Sequence, residues 1–226
     1  GTQLVTPIYE RFRDSIRAEI PVALATLIEG PNLGAKLLVE ESGFSLGSLG
    51  GEELDRVVER DAIAMLEAGT SEVRHYGSHG EARQHDLSVF IECHSRRPHL
   101  VIFGAVDFTR ALASQGKLLG FRVTVCDARE VFATRRRFPM ADEVVVDWPD
   151  RLLARIGNDL GPRDAVCVLT HDAKFDVPAI MGSLPTRVGY LGAMGSRQTH
   201  EKRLERLLEE GATAEELQRV KSPIGL

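Results

Sequence analysis

The chain has 226 residues, of which 43% are hydrophobic and 27% charged, with a formal net charge of -5. That composition excludes a fibrous, collagen-like or disordered chain, and the length leaves room for one large domain or two small ones. The acidic balance argues against a broad nucleic-acid face, and no apolar run approaches the roughly 20 residues of a membrane span. No nucleic-acid or membrane partner is therefore expected. The opening residues Gly1-Thr2-Gln3 lack the basic, apolar, small-residue order of a signal peptide. Cys93, Cys126 and Cys167 lack CxxC spacing and lie in or beside apolar, strand-like runs. Both features point to buried, reduced thiols in a cytoplasmic protein.

The first part, residues 1–95, reads helix, strand, strand, helix, strand, strand. Ile8, Phe12, Ile16 and Ile20 recur every four residues, which predicts a helix from Ile8 to Glu19 ended by Pro21. Val22 to Ile28 and Lys36 to Glu40 read as strands about a Gly30-Pro31-Asn32 turn. Gly43, Gly47, Gly50 and Gly51 mark a bend. A helix follows from Glu53 to Ala68, stopped by Gly69. Glu72 to Tyr76 and Leu87 to Glu92 read as two more strands around a polar, mobile Ser78 to Asp86. The polar stretch His94-Ser95-Arg96-Arg97-Pro98 ends this smaller α/β domain, because Pro98 disfavours helix before it and cannot donate within a central strand.

The second part, residues 98–226, alternates strand and helix. Strands are expected at Leu100–Phe103, Phe121–Cys126, Glu143–Val146, Ala165–Leu169 and Arg187–Leu191. Helices are expected near Phe108–Leu119, Asp150–Ile156, Val177–Leu184 and Gln198–Glu210. Repeated βα units with continuous apolar strands predict a parallel sheet covered on both faces, a doubly wound, Rossmann-like domain.

Three loops carry candidate site residues. Gly104 opens a reduced dinucleotide fingerprint, in which Val106 and Thr109 replace the second and third glycines. Asp107 adds a negative charge beside any phosphate there, or caps the next helix. Asp127, at the following strand end, is placed for ribose hydroxyls, so NAD(P) stays open as a ligand despite the β-branched Val106. Thr170-His171-Asp172 lies at a strand's carboxyl end. His171 between carboxylates can hold a proton or a metal; alternatively Asp176 caps the next helix and Thr170 closes a turn. Gly192, Gly195, Ser196 and Arg197 form a Gly-rich strand-to-helix bend, either an anion cradle with Arg197 as clamp or an ordinary tight turn. Arg135-Arg136-Arg137 reads as a solvated turn. His75 and His79 fall on a strand and a glycine bend rather than on one helical face, so they are not expected to bind metal. No catalytic residue and no metal-ligand set is assigned.

Several segments resemble the XdhC/CoxI family of accessory factors for molybdenum hydroxylases. They are Ile102-Phe103-Gly104-Ala105, Val123 to Arg129, Arg137-Phe138-Pro139 with Ala141-Asp142, Leu169-Thr170-His171-Asp172 with Asp176, and Tyr190 to Arg197. The ending Ser222 to Leu226 is similar as well, and the resemblance implies a further helix beyond it. It extends more loosely through Pro21–Ile28, Gly34–Val39 and Leu46–Gly51. The resemblance implies a maturation or insertion factor that binds molybdenum cofactor (molybdopterin). Its implied partner is a xanthine dehydrogenase-type apoenzyme, and a homodimer is expected. The alternatives are an NAD(P)-binding oxidoreductase and a nucleotide-sensing or structural subunit of such an enzyme. Relative to the family pattern, Val106 and Asp107 replace a Gly and a His. Glu52, Glu53 and Leu54 stand where members often carry a Cys after the Gly-Gly bend, and a Cys-Gly-Gly segment is missing near Leu87 to Cys93.

Overall fold

The computed structural model describes residues 2–81 and 84–225, with side chains from residue 7 onward. The chain divides into two compact units, Gly1–Arg96 and Arg97–Leu226.

The first unit runs α1 (Thr2–Arg17), β1 (Val22–Glu29), β2 (Lys36–Glu40), β3 (Ser45–Ser48), α2 (Glu52–Ala68), β4 (Glu72–Tyr76) and β5 (Leu87–His94). Its sheet has the order β3-β2-β1-β5-β4, with every neighbour antiparallel. Period-two alternation gives each face its own helix. Val22 and Leu38 pack with Ile8 and Phe12 of α1. Ala23, Ala25, Leu37 and Val39 pack with Leu54, Val58, Ala62 and Met65 of α2. The expected Gly43–Gly51 bend contains a short edge strand, β3, because β2 otherwise presents an unpaired edge. Gly47 makes that pairing close: with φ +98, a Cβ there would lie 2.3 Å from the Lys36 carbonyl oxygen. The first helix starts earlier than its apolar stripe and ends at Arg17. Residues 82 and 83 of the expected polar loop, and the chain ends Gly1 and Leu226, lie outside the described residues.

The second unit runs β6 (His99–Phe103), α3 (Asp107–Leu118), β7 (Arg122–Asp127), β8 (Glu143–Val146), α4 (Pro149–Ile156), β9 (Ala165–Val168), α5 (Ala173–Ser183), β10 (Tyr190–Ala193), α6 (Arg197–Glu209), α7 (Ala214–Leu217) and β11 (Val220–Lys221). The six strands are all parallel, in the order β11-β10-β9-β6-β7-β8. This is the doubly wound Rossmann order, with the direction of winding reversing between β6 and β9. One core holds Val101, Phe103, Val166 and Val168 against α4, α5 and α6. The other holds Leu100, Ile102, Val123 and Val125 against α3 and the chain between β7 and β8. α7 and β11 carry too few residues to show a period, so neither was expected. β11 completes the sheet by pairing Val220 with Leu191 and Lys221 with Gly192. Among the described residues, no helix is long and apolar enough to cross a membrane.

Candidate functional site

In open parallel sheets, ligands gather beyond the carboxyl ends of the strands, where the winding reverses. Here the loops after β6, β7 and β9 meet around a hollow of about 490 Å³, lined by Val106, Arg129, Thr170, His171, Asp172, Ala173 and Phe175. That volume falls in the range of small-molecule sites.

The β6–α3 loop is held from three sides. Gly104 turns the chain at φ +114, and a Cβ would sit 2.7 Å from the Thr170 methyl. Val106 is the N-cap in extended conformation and Asp107 is the first helical residue, so the capping role open to Asp107 is not taken. Buried Thr109 accepts the Val106 N–H at 3.2 Å, and its hydroxyl donates to the Gly104 carbonyl. The hydroxyl thus ties the turn together where a glycine would only pack. Arg137 donates to the carbonyls of Ala105 at 3.0 Å and Phe132 at 2.9 Å. Arg135 donates to the Ala141 carbonyl at 2.7 Å. The expected solvated arginine turn holds in that Arg135 and Arg136 are exposed, but Arg135 and half-buried Arg137 also brace the loop through its carbonyls.

Asp127 is buried, and its carboxylate accepts four hydrogen bonds. The Ala105 N–H lies at 2.8 Å and the Arg129 N–H at 2.9 Å, while the Arg129 guanidinium binds in a fork at 3.0 and 2.7 Å. Burial alone would push this acid up. The bonds from Arg129 and Ala105 outweigh burial and hold it below the usual range. The oxygens expected to meet ribose are thus occupied by protein donors. Arg129 also lies over the Phe132 ring at 4.6 Å and the Phe175 ring at 5.6 Å. Trp148 stacks on Phe175 at 4.9 Å and 18°.

The β9–α5 loop carries the other wall. Asp172 caps α5 by accepting the Lys174 N–H at 3.0 Å, so the cap belongs to Asp172 and not to Asp176. The helix starts four residues earlier than its apolar pattern because this cap fixes its first turn. Asp176 is instead buried, accepting from the Thr170 hydroxyl and from Arg203 Nη2 at 3.0 Å. Burial holds Asp176 above its ordinary value despite those donors. Arg203 also donates to the Met194 carbonyl at 2.7 Å, and its buried Nε has no hydrogen-bond partner among the described residues. Exposed His171 lines both the first hollow and a second of about 440 Å³ between α5 and α6, beside Thr199, Lys202 and Arg206.

The expected anion cradle after β10 is smaller than its sequence suggests. Gly192 lies inside the strand, where a Cβ would meet Tyr190 and Ile224 at 2.7–2.8 Å. Its smallness serves packing, so Gly192 is removed from the cradle. The Met194 N–H is taken by the Val168 carbonyl. What remains is the Gly195 bend at φ +153, the Ser196 cap accepting the Thr199 N–H at 3.1 Å, and exposed Arg197 in the first turn.

Of the expected site residues, Thr170, His171 and Asp172 line the hollow, while Gly104 and Asp127 stand behind it, Gly104 against Thr170 and Asp127 bonded to Arg129. Asp107 and the Gly195–Arg197 turn are not among the residues that line the hollow. Arg129, Trp148, Phe175 and Arg203 carry as much of the local geometry and had no assigned role. Trp148 and Phe175 come from different strand ends, so no spacing in the sequence pairs them. Cys93 is half-buried, and Cys126 and Cys167 are buried. Burial pushes these thiols up to about 11, 12 and 12. His75 bonds Ser88 at 3.0 Å while His79 approaches Glu53 at 3.5 Å, so the two histidines face different partners.

The model of the XdhC Rossmann domain matches residues 100–226, and that of the XdhC and CoxI family matches residues 15–77. The chain is 27% identical over 217 residues to uncharacterized protein YqeB of Escherichia coli K12, covering 91% of this chain and 39% of that one. It is 31% identical over 109 residues to a probable xanthine dehydrogenase subunit of Bacillus subtilis 168, covering 48% and 32%. It is 37% identical over 79 residues to the molybdenum cofactor insertion chaperone PaoD of Escherichia coli K12, covering 35% and 24%. The matches thus span well under half the length of these curated relatives. A crystal structure of a Bacillus halodurans protein described as a xanthine dehydrogenase shares the fold, with a TM-score of 0.53 and 21% identity over 96% of this chain and 88% of that one. The Rossmann order, the loops that close on its crevice and the model that spans them lead to one conclusion: the chain belongs to the XdhC and CoxI family.

Proposed function

We propose that this protein is an accessory factor that holds molybdenum cofactor and helps insert it into a xanthine dehydrogenase-type molybdenum hydroxylase. The observation that carries this reading is the pair of hollows sharing His171. The first offers His171 and Asp172 to a flat heterocycle; the second offers Lys202 and Arg206 to a phosphate, with Glu205 and Glu209 on the same lining. The family and the PaoD likeness support the same direction. The donor set fits the pterin and phosphate of such a cofactor. It does not fit ligation of molybdenum by a protein thiolate, because all three thiols are held well above neutrality by burial. The cofactor supplies the redox centre of the target enzyme. In this proposal the residues named here only bind it, orient it and shield it from water. A cytoplasmic homodimer acting on a hydroxylase apoenzyme completes the proposal. In the resting chain the nicotinamide alternative is disfavoured by Arg129 on the Asp127 acceptors and by Val106 at the phosphate turn.

Calorimetric titration with molybdopterin cofactor tests the reading. Binding is expected, weakened about tenfold or more by His171→Ala and by Lys202→Ala, and bound cofactor is expected to restore activity to a cofactor-free hydroxylase. A folded chain that ignores the pterin, or that binds NAD(P)H alone, overturns it. Sedimentation of the purified chain reads the dimer.

A further inference from the structure

Arg129 holds an unusual position in the crevice. Its guanidinium makes a two-bond fork with the carboxylate of Asp127. In this sheet order, the acid ending the second strand of the winding is the one that meets a ribose diol. The same flat group lies against the rings of Phe132 and Phe175, at 4.6 and 5.6 Å. Trp148 stacks on Phe175 in turn. A pair of donors on such an acid, as from a ribose diol, and a planar group stacked on aromatic rings are two features of nucleoside recognition. Both are supplied here by one side chain of the protein itself.

We propose that Arg129 is an internal occupant of the nucleoside slot in this crevice, and that a nucleotide binds there only by displacing it. The slot is Asp127 for the ribose and Phe132 with Phe175 for the base. Arg129 is suited to leave. Its side chain is 40% exposed, whereas the Asp127 side chain is 1% exposed. Arg129 lines the hollow of about 490 Å³, so its departure opens the slot directly into that space. Asp172 lines the same hollow and already acts on the charge of Arg129, which gives the displaced guanidinium a second partner. The cost of breaking the fork sets weak affinity in the resting chain, and any state that draws Arg129 away raises it. This inference goes beyond the molybdenum cofactor reading and does not depend on it.

Trp148 is the single tryptophan of the chain, so intrinsic fluorescence reports on this stack. The test titrates the full chain with AMP, following Trp148 emission, in the wild type, Arg129→Gln and Arg129→Lys. Thermal melts define the temperature at which each variant is folded. Arg129→Gln removes charge and fork and is expected to bind AMP at least tenfold more tightly than the wild type. Arg129→Lys keeps the charge but loses the flat fork, and is expected to gain less. Should Arg129→Gln fail to fold, a gain in Arg129→Lys carries the same meaning. Adding Asp127→Asn, or using 2′,3′-dideoxy-AMP, is expected to abolish the gain. Equal or weaker AMP binding by the folded variants overturns the proposal and leaves Arg129 a strut or a direct ligand contact. A chain that fails to bind molybdopterin yet shows the gain refutes only the cofactor reading.

Discussion

At the scale of single residues, the second unit spends its charges on holding loops still. Asp127 gathers the β6 and β7 loops through four accepted hydrogen bonds. Since the folded state holds this proton less tightly than the unfolded chain, the stabilisation is present above the ordinary Asp value of 3.8. It is lost as the pH falls below that value toward the folded-state one. Thermal melts should therefore show Asp127→Asn less stable than wild type near neutrality, with the gap narrowing in acid. A gap independent of pH contradicts this. The Asp176–Arg203 pair is buried on both sides, with side chains 3% exposed. Asp176→Ala leaves a guanidinium without its acid and should cost about 3–5 kcal/mol. Chemical denaturation measures it, and a loss under about 1 kcal/mol would show that water replaces the acid.

At the scale of elements, turns decide where helices begin. Ser196 and Asp172 each cap a helix that forms part of the crevice. Ser196→Ala removes the acceptor of the Thr199 N–H and should cost about 1 kcal/mol. Hydrogen exchange should show this loss as faster exchange confined to the first turn of α6. Gly104 is constrained twice, by φ +114 and by the Thr170 methyl at 2.7 Å from a would-be Cβ. Gly104→Ala is expected to cost at least about 2 kcal/mol and to push the β6 and β9 loops apart. A melting temperature unchanged within a degree would rule this out. The helix α5 shows why patterns mislead at such ends. Its continuous apolar run begins at Val177, but the cap at Asp172 brings Ala173, Lys174, Phe175 and Asp176 into the helix as well.

At the scale of the whole molecule, each unit builds its own cores, those of the first around α1 and α2 and those of the second on both faces of the parallel sheet. Met65 is 2% exposed in the core under α2. Met65→Ala should cost about 2–5 kcal/mol through lost burial and a cavity. Native-state hydrogen exchange is expected to place that loss on the amides of β1, β2 and β5 while β6, β7 and β9 keep their protection. Equal loss in both sets would show that the units unfold as one.

The sequence by itself determined the local grammar of this protein. Continuous apolar strands separated by helices specified a parallel Rossmann sheet, since strands buried on both faces need apolar residues at every position. The loops of Gly104, Asp127 and His171 were legible because a doubly wound sheet presents its strand ends together. Only the tertiary structure decided which acceptors are free. Asp127 is filled by Arg129, Asp176 is paired with an arginine 27 residues away, and Gly192 makes room for Tyr190 and Ile224. Trp148 and Phe175 meet although they follow different strands. The physical reason is the same in each case. Period and composition report the contacts a residue makes with its own element, whereas hydrogen-bond saturation and aromatic stacking depend on partners brought near by other strands. Those partners exist only once the sheet has ordered its loops.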